Sequence, residues 1–269
     1  MTDKKKIAFI GSGNMAGAII SGILKNNIMS PDSVSVYDID SDKLNRFSEL
    51  GLKTYTDVKK MVEDNDFIFL SIKPQQFEEV LDSIKNAISD RHVIVTIAAG
   101  ISSSYIKKKI GFDCKIIRAM PNTPLLIGFG ATALTNIYPT TTDEYNFIEK
   151  IFESSGVVCR INEDKMNEVI AVNGSTPAFI YLYSKYFIEE AIRRGVDKEA
   201  AIKLFTGTLI GSAKMITDSG FTIDELIEMV SSKGGTTLKG LEALVSNNLE
   251  TTVVKAVEAS VARAYELEK

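Results

Sequence analysis

Ile7-Ala8-Phe9-Ile10-Gly11-Ser12-Gly13-Asn14-Met15-Ala16 is the stretch on which the fold of this chain turns. Four apolar residues in a row read as a strand buried on both faces, and the pattern from Met15 to Asn26 reads as a helix. Between them lies Gly-x-Gly-x-x-Ala. The first glycine makes the tight turn, the second lets backbone approach a pyrophosphate, and the small Ala16 permits close packing of helix on strand. The helix start adds free N–H groups and partial positive charge for the phosphates. A bare glycine turn has little meaning; one placed between a first strand and a first helix does.

Working outward, the first half of the chain alternates short apolar runs with helical patterns. Strands are expected at Ile7–Ile10, Ser33–Tyr37, Phe67–Leu70, Val93–Ile97, Lys115–Arg118, near Ala131–Leu134 and near Gly156–Ile161. Helices are expected at Met15–Asn26, Asp42–Leu50, Gln76–Ala87, Ser103–Lys109 and Asp143–Ser154. Such alternation predicts an α/β fold, a Rossmann-type doubly wound parallel sheet with right-handed crossovers. Beyond residue 163 the strand signal stops. Pro177–Arg194, Lys198–Ser219, Ile223–Val230, Leu238–Val245 and Glu250–Glu268 read as helices, punctuated by Gly195, Gly220 and Gly234-Gly235. The expected division is therefore 1–162, a dinucleotide-binding domain, and 163–269, an all-helical substrate and dimerisation domain. Helix Pro177–Arg194 is apolar on nearly every face, and a helix of that kind must be covered all round. A second subunit is the expected cover.

Asp38 stands at the carboxyl end of the second strand, where an acid can accept hydrogen bonds from the ribose hydroxyls of NAD and repel the extra phosphate of NADP. The alternative is a turn aspartate within Asp38-Ile39-Asp40-Ser41-Asp42, and Lys43 and Arg46 on the following helix weaken the preference. The net charge of −4 over 269 residues argues against a nucleic-acid partner. The Lys4–Lys6 run reads as solvated, and it passes straight into the first strand, too short an apolar run for a signal peptide. No stretch has the length of a membrane span. The two cysteines, Cys114 and Cys159, lie far apart in apolar runs, so the expectation is a soluble, reduced, cytoplasmic protein without a CxxC metal or redox site.

The single histidine, His92, precedes a strand and has no orienting carboxylate nearby in the sequence. Oxidation of an alcohol calls for a base such as His or Lys. Reduction of a cyclic imine does not, because the protonated C=N carbon is already electrophilic and positioning with desolvation can do much of the work. The β-hydroxyacid dehydrogenases have a similar organisation but a catalytic lysine followed four residues on by asparagine; here Lys165 is followed at that spacing by Val169.

Along almost its whole length the sequence resembles the pyrroline-5-carboxylate reductases. The resemblance rests on Gly11–Ala16 continued by Gly17-Ala18-Ile19, on Leu70-Ser71-Ile72-Lys73-Pro74-Gln75, on Ile97-Ala98-Ala99-Gly100-Ile101-Ser102 and on Arg118-Ala119-Met120-Pro121-Asn122-Thr123-Pro124. It continues through Asn173-Gly174-Ser175-Thr176-Pro177-Ala178 and Ser231-Ser232-Lys233-Gly234-Gly235-Thr236-Thr237. It implies NAD(P)H as cofactor, held at Gly11, Ser12, Gly13, Asn14, Met15, Ile72, Lys73, Pro74 and Ala98. It also implies an imino-acid site at Ser232, Gly235, Thr236 and Thr237. There hydroxyl and N–H groups would hold a carboxylate, and the Thr237 hydroxyl would meet the ring nitrogen as the catalytic group. Glu163 matches a family position near the substrate ring, though an exposed hinge glutamate is the competing reading. A homodimer, or a ring of dimers, is implied as well.

Physical reading agrees with the second site, since two glycines leading into a helix make an anion nest suited to a small carboxylate. Two departures from the family pattern matter. Lys233 replaces the usual proline, and Asn173 and Thr176 replace small residues. The family usually favours NADPH, whereas Asp38 favours NADH. A reductase of a related imine or keto acid, and a non-catalytic dinucleotide-sensing module, are the competing functions. A sensor has no need of a second anion site.

Overall fold

A computed structural model describes residues 5–268, so that Lys4 of the basic run lies outside the described residues. The residues up to Pro177, together with those from Ala259 onwards, form one compact unit; Ala178–Glu258 form a second.

The first unit is built on β1 (Ile7–Ile10), β2 (Val34–Tyr37), β3 (Lys53–Tyr55), β4 (Phe67–Leu70), β5 (Val93–Thr96), β6 (Lys115–Pro121), β7 (Gly130–Ile137) and β8 (Gly156–Arg160). They form one sheet in the order β3-β2-β1-β4-β5-β6-β7-β8. Helices α1 (Asn14–Lys25), α2 (Asp42–Glu49), α3 (Val58–Asp64), α4 (Phe77–Ile84), α5 (Ser103–Ile110), α6 (Thr142–Glu153) and the short α7 (Val169–Val172) connect and follow the strands. The apolar run of β1 explains its central place. Ile7 and Phe9 join one core with Val36, Phe69 and Ile19, while Ala8 and Ile10 join the core on the opposite face with Leu70, Phe77 and Leu81. Phe9 and Phe69 stack with ring centroids 4.5 Å apart. Strand order reverses between β1 and β4, which pair in parallel with Ile10 opposite Leu70.

Several features depart from the sequence expectation. β7 runs antiparallel to β6, not parallel. The connection 122–129 holds only a 3₁₀ turn, Thr123–Ile127, and a parallel return needs about a dozen or more residues. Strand β3 and helix α3 were also not anticipated. β3 is a short edge strand of Lys, Thr and Tyr with no apolar run to reveal it. Helix α3 is started by the Asp57 carboxylate, which accepts from the N–H groups of Lys59 and Lys60.

The second unit contains most of α8 (Thr176–Arg193), then α9 (Lys198–Asp218), α10 (Ile223–Met229), α11 (Thr236–Ser246) and the first part of α12 (Leu249–Leu267). Within a single chain these helices bury little. Tyr181 is 61% exposed, Tyr186 60%, Leu204 69% and Ile210 62%. No described helix is long and apolar enough to cross a membrane.

Candidate active site

The turn from β1 into α1 is shaped by Gly11. Its φ is +95°, and a Cβ there would sit 2.5 Å from the Ser71 carbonyl oxygen at the end of β4. Only glycine permits both. Gly13 caps α1 without a side-chain partner, and a Cβ on it would meet nothing within 4 Å, so the space above the helix start is open. A cavity of about 290 Å³ occupies that space at the carboxyl ends of β1, β2 and β4. Its wall brings together Gly11, Ser12, Gly13, Asp38, Ile72 and Lys73 from the sequence-derived set. Asn14 and Met15 start α1, Pro74 starts a 3₁₀ turn and Ala98 packs with Ile72 on the apolar core beneath, and these four do not line the cavity. Lys43, noted beside Asp38 in the sequence, also lines it, as do Tyr37, Ile39, Ser71, Gln76 and Val80, which sequence reasoning missed. For Ser71 the signal was available, because it directly follows a strand beside the switch point, where ligands gather.

Asp38 does not point freely at this space. Its Oδ2 accepts the Ser12 N–H at 2.8 Å and the Ser12 hydroxyl at 2.7 Å, and its Oδ1 accepts the Asp40 N–H at 3.0 Å. Burial pushes the Asp38 carboxyl up. The N–H groups of Asp40 and Ser12, the Ser12 hydroxyl and the Lys43 ammonium outweigh that and hold it below the usual aspartate value. The neighbouring cations are engaged. Lys43 lies 3.9 Å from Asp38 and 3.4 Å from Asp40, while Arg46 donates to the Ser12 carbonyl and stacks over Phe47.

These residues fit a dinucleotide. A Cβ-free turn, an uncapped helix start and a carboxylate on the next strand are the three parts such a ligand requires.

Glu163, in a 3₁₀ turn after β8, is bonded within the first unit. Its carboxylate accepts from the Ser103 N–H at 3.0 Å, the Ser103 hydroxyl at 2.8 Å and Arg118 at 2.9 Å. The Arg118 side chain is 4% exposed and that of Glu163 32%. Burial pushes the Glu163 carboxyl up, and the Ser103 hydroxyl, Arg118 and the Ser103 N–H together bring it below the usual glutamate value. His92 is buried with its Nδ1 accepting from the Ser89 N–H and its Nε2 facing the Val62 carbonyl. Burial lowers its pKa, so it sits neutral in the core, away from the cavity.

In the second unit, Ser232, Lys233, Gly234 and Gly235 link α10 to α11. The Gly235 N–H donates to the Ser232 carbonyl at 2.9 Å, and Gly234 turns the chain at φ +76°. A Cβ on Gly235 would lie 2.6 Å from the Ser232 hydroxyl. Gly235 caps α11 with no side-chain bond and no acidic residue follows in the first turn. The first N–H groups of that helix have no intrahelical acceptor. Thr237 lies on the wall of a groove of about 590 Å³ with Phe187, Leu241 and Leu244. Of the sequence-derived set only Thr237 lines that groove; Ser232, Gly235 and Thr236 do not. Among the described residues no group of His, Cys, Asp and Glu could hold a metal ion.

Comparison with known proteins agrees with this arrangement. A family described as pyrroline-5-carboxylate reductase dimerisation matches residues 163–267, and one described as NADP oxidoreductase coenzyme F420-dependent matches residues 6–100. A pyrroline-5-carboxylate reductase of Vibrio alginolyticus is 34% identical, over 99% of both chains. The solved pyrroline-5-carboxylate reductase of Coxiella burnetii is 34% identical with a TM-score of 0.92, covering 99% of this chain and 100% of that one. The Plasmodium falciparum pyrroline carboxylate reductase, solved with NADP bound, is 27% identical with a TM-score of 0.91 and covers 100% of both. On identity and coverage at this level, the chain belongs to the pyrroline-5-carboxylate reductase family.

Proposed function

We propose that this protein reduces the C=N bond of 1-pyrroline-5-carboxylate to L-proline, the last step of proline biosynthesis, using NADH or NADPH. The observation that carries the reading is the presence of two glycine-led, uncapped helix starts in one chain, α1 and α11. One opens beside a carboxylate-walled cavity suited to a dinucleotide, the other beside an apolar groove suited to a small cyclic acid.

The dihydronicotinamide supplies the hydride. In the chain itself, Gly11, Ser12, Gly13, Asn14 and Met15 bind the phosphates, and Ile72, Lys73, Pro74 and Ala98 border the nicotinamide half. The Ser232 hydroxyl and the N–H groups of Gly235, Thr236 and Thr237 hold the substrate carboxylate. As the ring carbon accepts hydride, the cationic nitrogen becomes a neutral amine with a lone pair. The Thr237 hydroxyl, placed to donate to that nitrogen, is therefore worth more after the step than before it. Glu163 belongs to the substrate side only through the part of its carboxylate that Ser103 and Arg118 leave open.

NADH is the preferred cofactor in this reading, because Asp38 adds negative charge to the cavity wall, Lys43 is held by the Asp38 and Asp40 carboxylates, and Arg46 is turned onto the Ser12 carbonyl. Functional division follows 1–162 for the cofactor and 163–269 for substrate and dimerisation. The exposed apolar faces of α8 and α9 support a homodimer, or a ring of dimers. The unpaired Cys114 and Cys159 suit a reducing cytoplasm.

The test is to follow absorbance of NADH and NADPH with 1-pyrroline-5-carboxylate, with a related imine and with a keto acid, and to identify the product. Proline formed fastest from the first substrate supports the proposal. Faster turnover of another substrate would reassign the site, and cofactor binding without turnover of any would mark a sensor.

A further inference from the structure

In the first unit, the loop Ile97–Ser102 after β5 is closed into a ring of contacts by the last turn of α12. Gly100 is buried at φ +71°, and a Cβ on it would lie 2.8 Å from the Leu267 carbonyl oxygen and 3.1 Å from the Leu267 Cβ. That is backbone packed on backbone, with no flexible side chain to give way. The last turn is itself fastened: the Tyr265 hydroxyl donates to Glu168 at 2.6 Å, Asn167 donates to Glu268 at 2.9 Å, and Ala264 is buried. The same segment carries Glu163, which accepts from Ser103 at the start of α5, immediately after the loop. Loop, α5 start, the 163–168 segment and the α12 end thus hold one another in sequence.

The position of the loop gives this ring a use. A doubly wound sheet is two mononucleotide-binding halves, and the adenosine half falls on the side of β1 and β2, where Asp38 stands. The loop after β5 lies on the other half, beside β4. We infer that Gly100 and Leu267 are positioning residues for the nicotinamide half of the cofactor: the α12 end holds the 97–102 loop in the shape that receives it. This rests on the dinucleotide reading above and adds a residue pair that touches neither phosphate nor ribose.

The test combines Gly100→Ala with removal of residues 267–269 in a double-mutant cycle on the otherwise full chain. Dissociation constants are measured for NADH, by fluorescence, and for ADP-ribose, which lacks nicotinamide, by calorimetry. We expect Gly100→Ala to weaken NADH about tenfold and the removal to weaken it about threefold, against 1.4 kcal/mol per tenfold. The double variant should fall between threefold and tenfold, because deleting Leu267 relieves the collision that the added Cβ creates and leaves only the strain of a side chain at φ +71°. ADP-ribose affinity should be unchanged throughout. Effects that multiply, or ADP-ribose affinity that falls in step with NADH, would overturn the inference. If Gly100→Ala does not fold, the removal alone decides: NADH weakened with ADP-ribose unchanged supports it, and unchanged NADH refutes it. Failure of the unaltered protein to bind either ligand would instead refute the dinucleotide reading.

Discussion

The Asp38 carboxylate, at the end of β2, is bonded to both the N–H and the hydroxyl of Ser12, in the turn between β1 and α1, at 2.8 and 2.7 Å. The acid that would choose the cofactor therefore also braces the loop that would bind its phosphates. We predict that catalytic efficiency with NADH exceeds that with NADPH, and that Asp38→Ser narrows or reverses the gap by about 1–3 kcal/mol, the scale of a poorly compensated buried polar group. Because the brace is lost too, ADP-ribose affinity should also fall in the variant. Steady-state kinetics with both cofactors checks the first, calorimetry the second. Equal use of both cofactors by the parent, unchanged in the variant, would refute the role of Asp38.

Thr237 and Ser232 lie on either side of the Gly234-Gly235 turn and should fail differently when altered. Thr237→Val keeps shape and loses the hydroxyl, and turnover should fall roughly ten- to a hundredfold, or about 1.4–2.8 kcal/mol. Its Michaelis constant for the imine should move less. Ser232→Ala should weaken substrate binding more than turnover. NADH affinity without substrate should be unchanged in both. Full turnover in Thr237→Val would place the reacting nitrogen elsewhere.

The exposed apolar residues of α8 and α9 predict the assembly. A contiguous apolar surface beyond a few hundred Å² is rarely left open to water. Sedimentation at low micromolar concentration should show a dimer or a multiple of it, and a fully active monomer would contradict this.

Glu163 predicts a pH dependence. Its carboxyl titrates below the usual value in the folded chain, so its contribution is fully present above the unfolded value of about 4.3 and is lost as pH falls through the lower, folded one. Glu163→Gln leaves the buried Arg118 without its carboxylate, a change that costs about 3 kcal/mol at the low end for a stranded buried charge. Partial exposure of Glu163 makes that an upper figure. Urea unfolding should show the variant less stable at neutral pH, with the gap closing in acid. A gap independent of pH would mean that packing, not charge, is what the substitution removes.

Sequence by itself determined the α/β core, the glycine turn between β1 and α1 and the helical second half. These depend on local rules: a four-residue apolar strand, glycines at set positions, and periodicity over many residues. It also marked Ser232–Thr237 as a candidate anion site, because two glycines before a helix can turn their N–H groups towards one ligand. Tertiary structure alone decided the direction of β7, which hung on the length of the 122–129 connection rather than on the composition of the strand. It alone gave Asp38 its bonds to Ser12, tied Glu163 to Ser103 and Arg118, and set Leu267 against Gly100. Each of those pairs lies far apart along the chain. Periodicity and propensity report a residue's own neighbourhood, and what a side chain meets across the fold is settled only when the sheet brings the strand ends together.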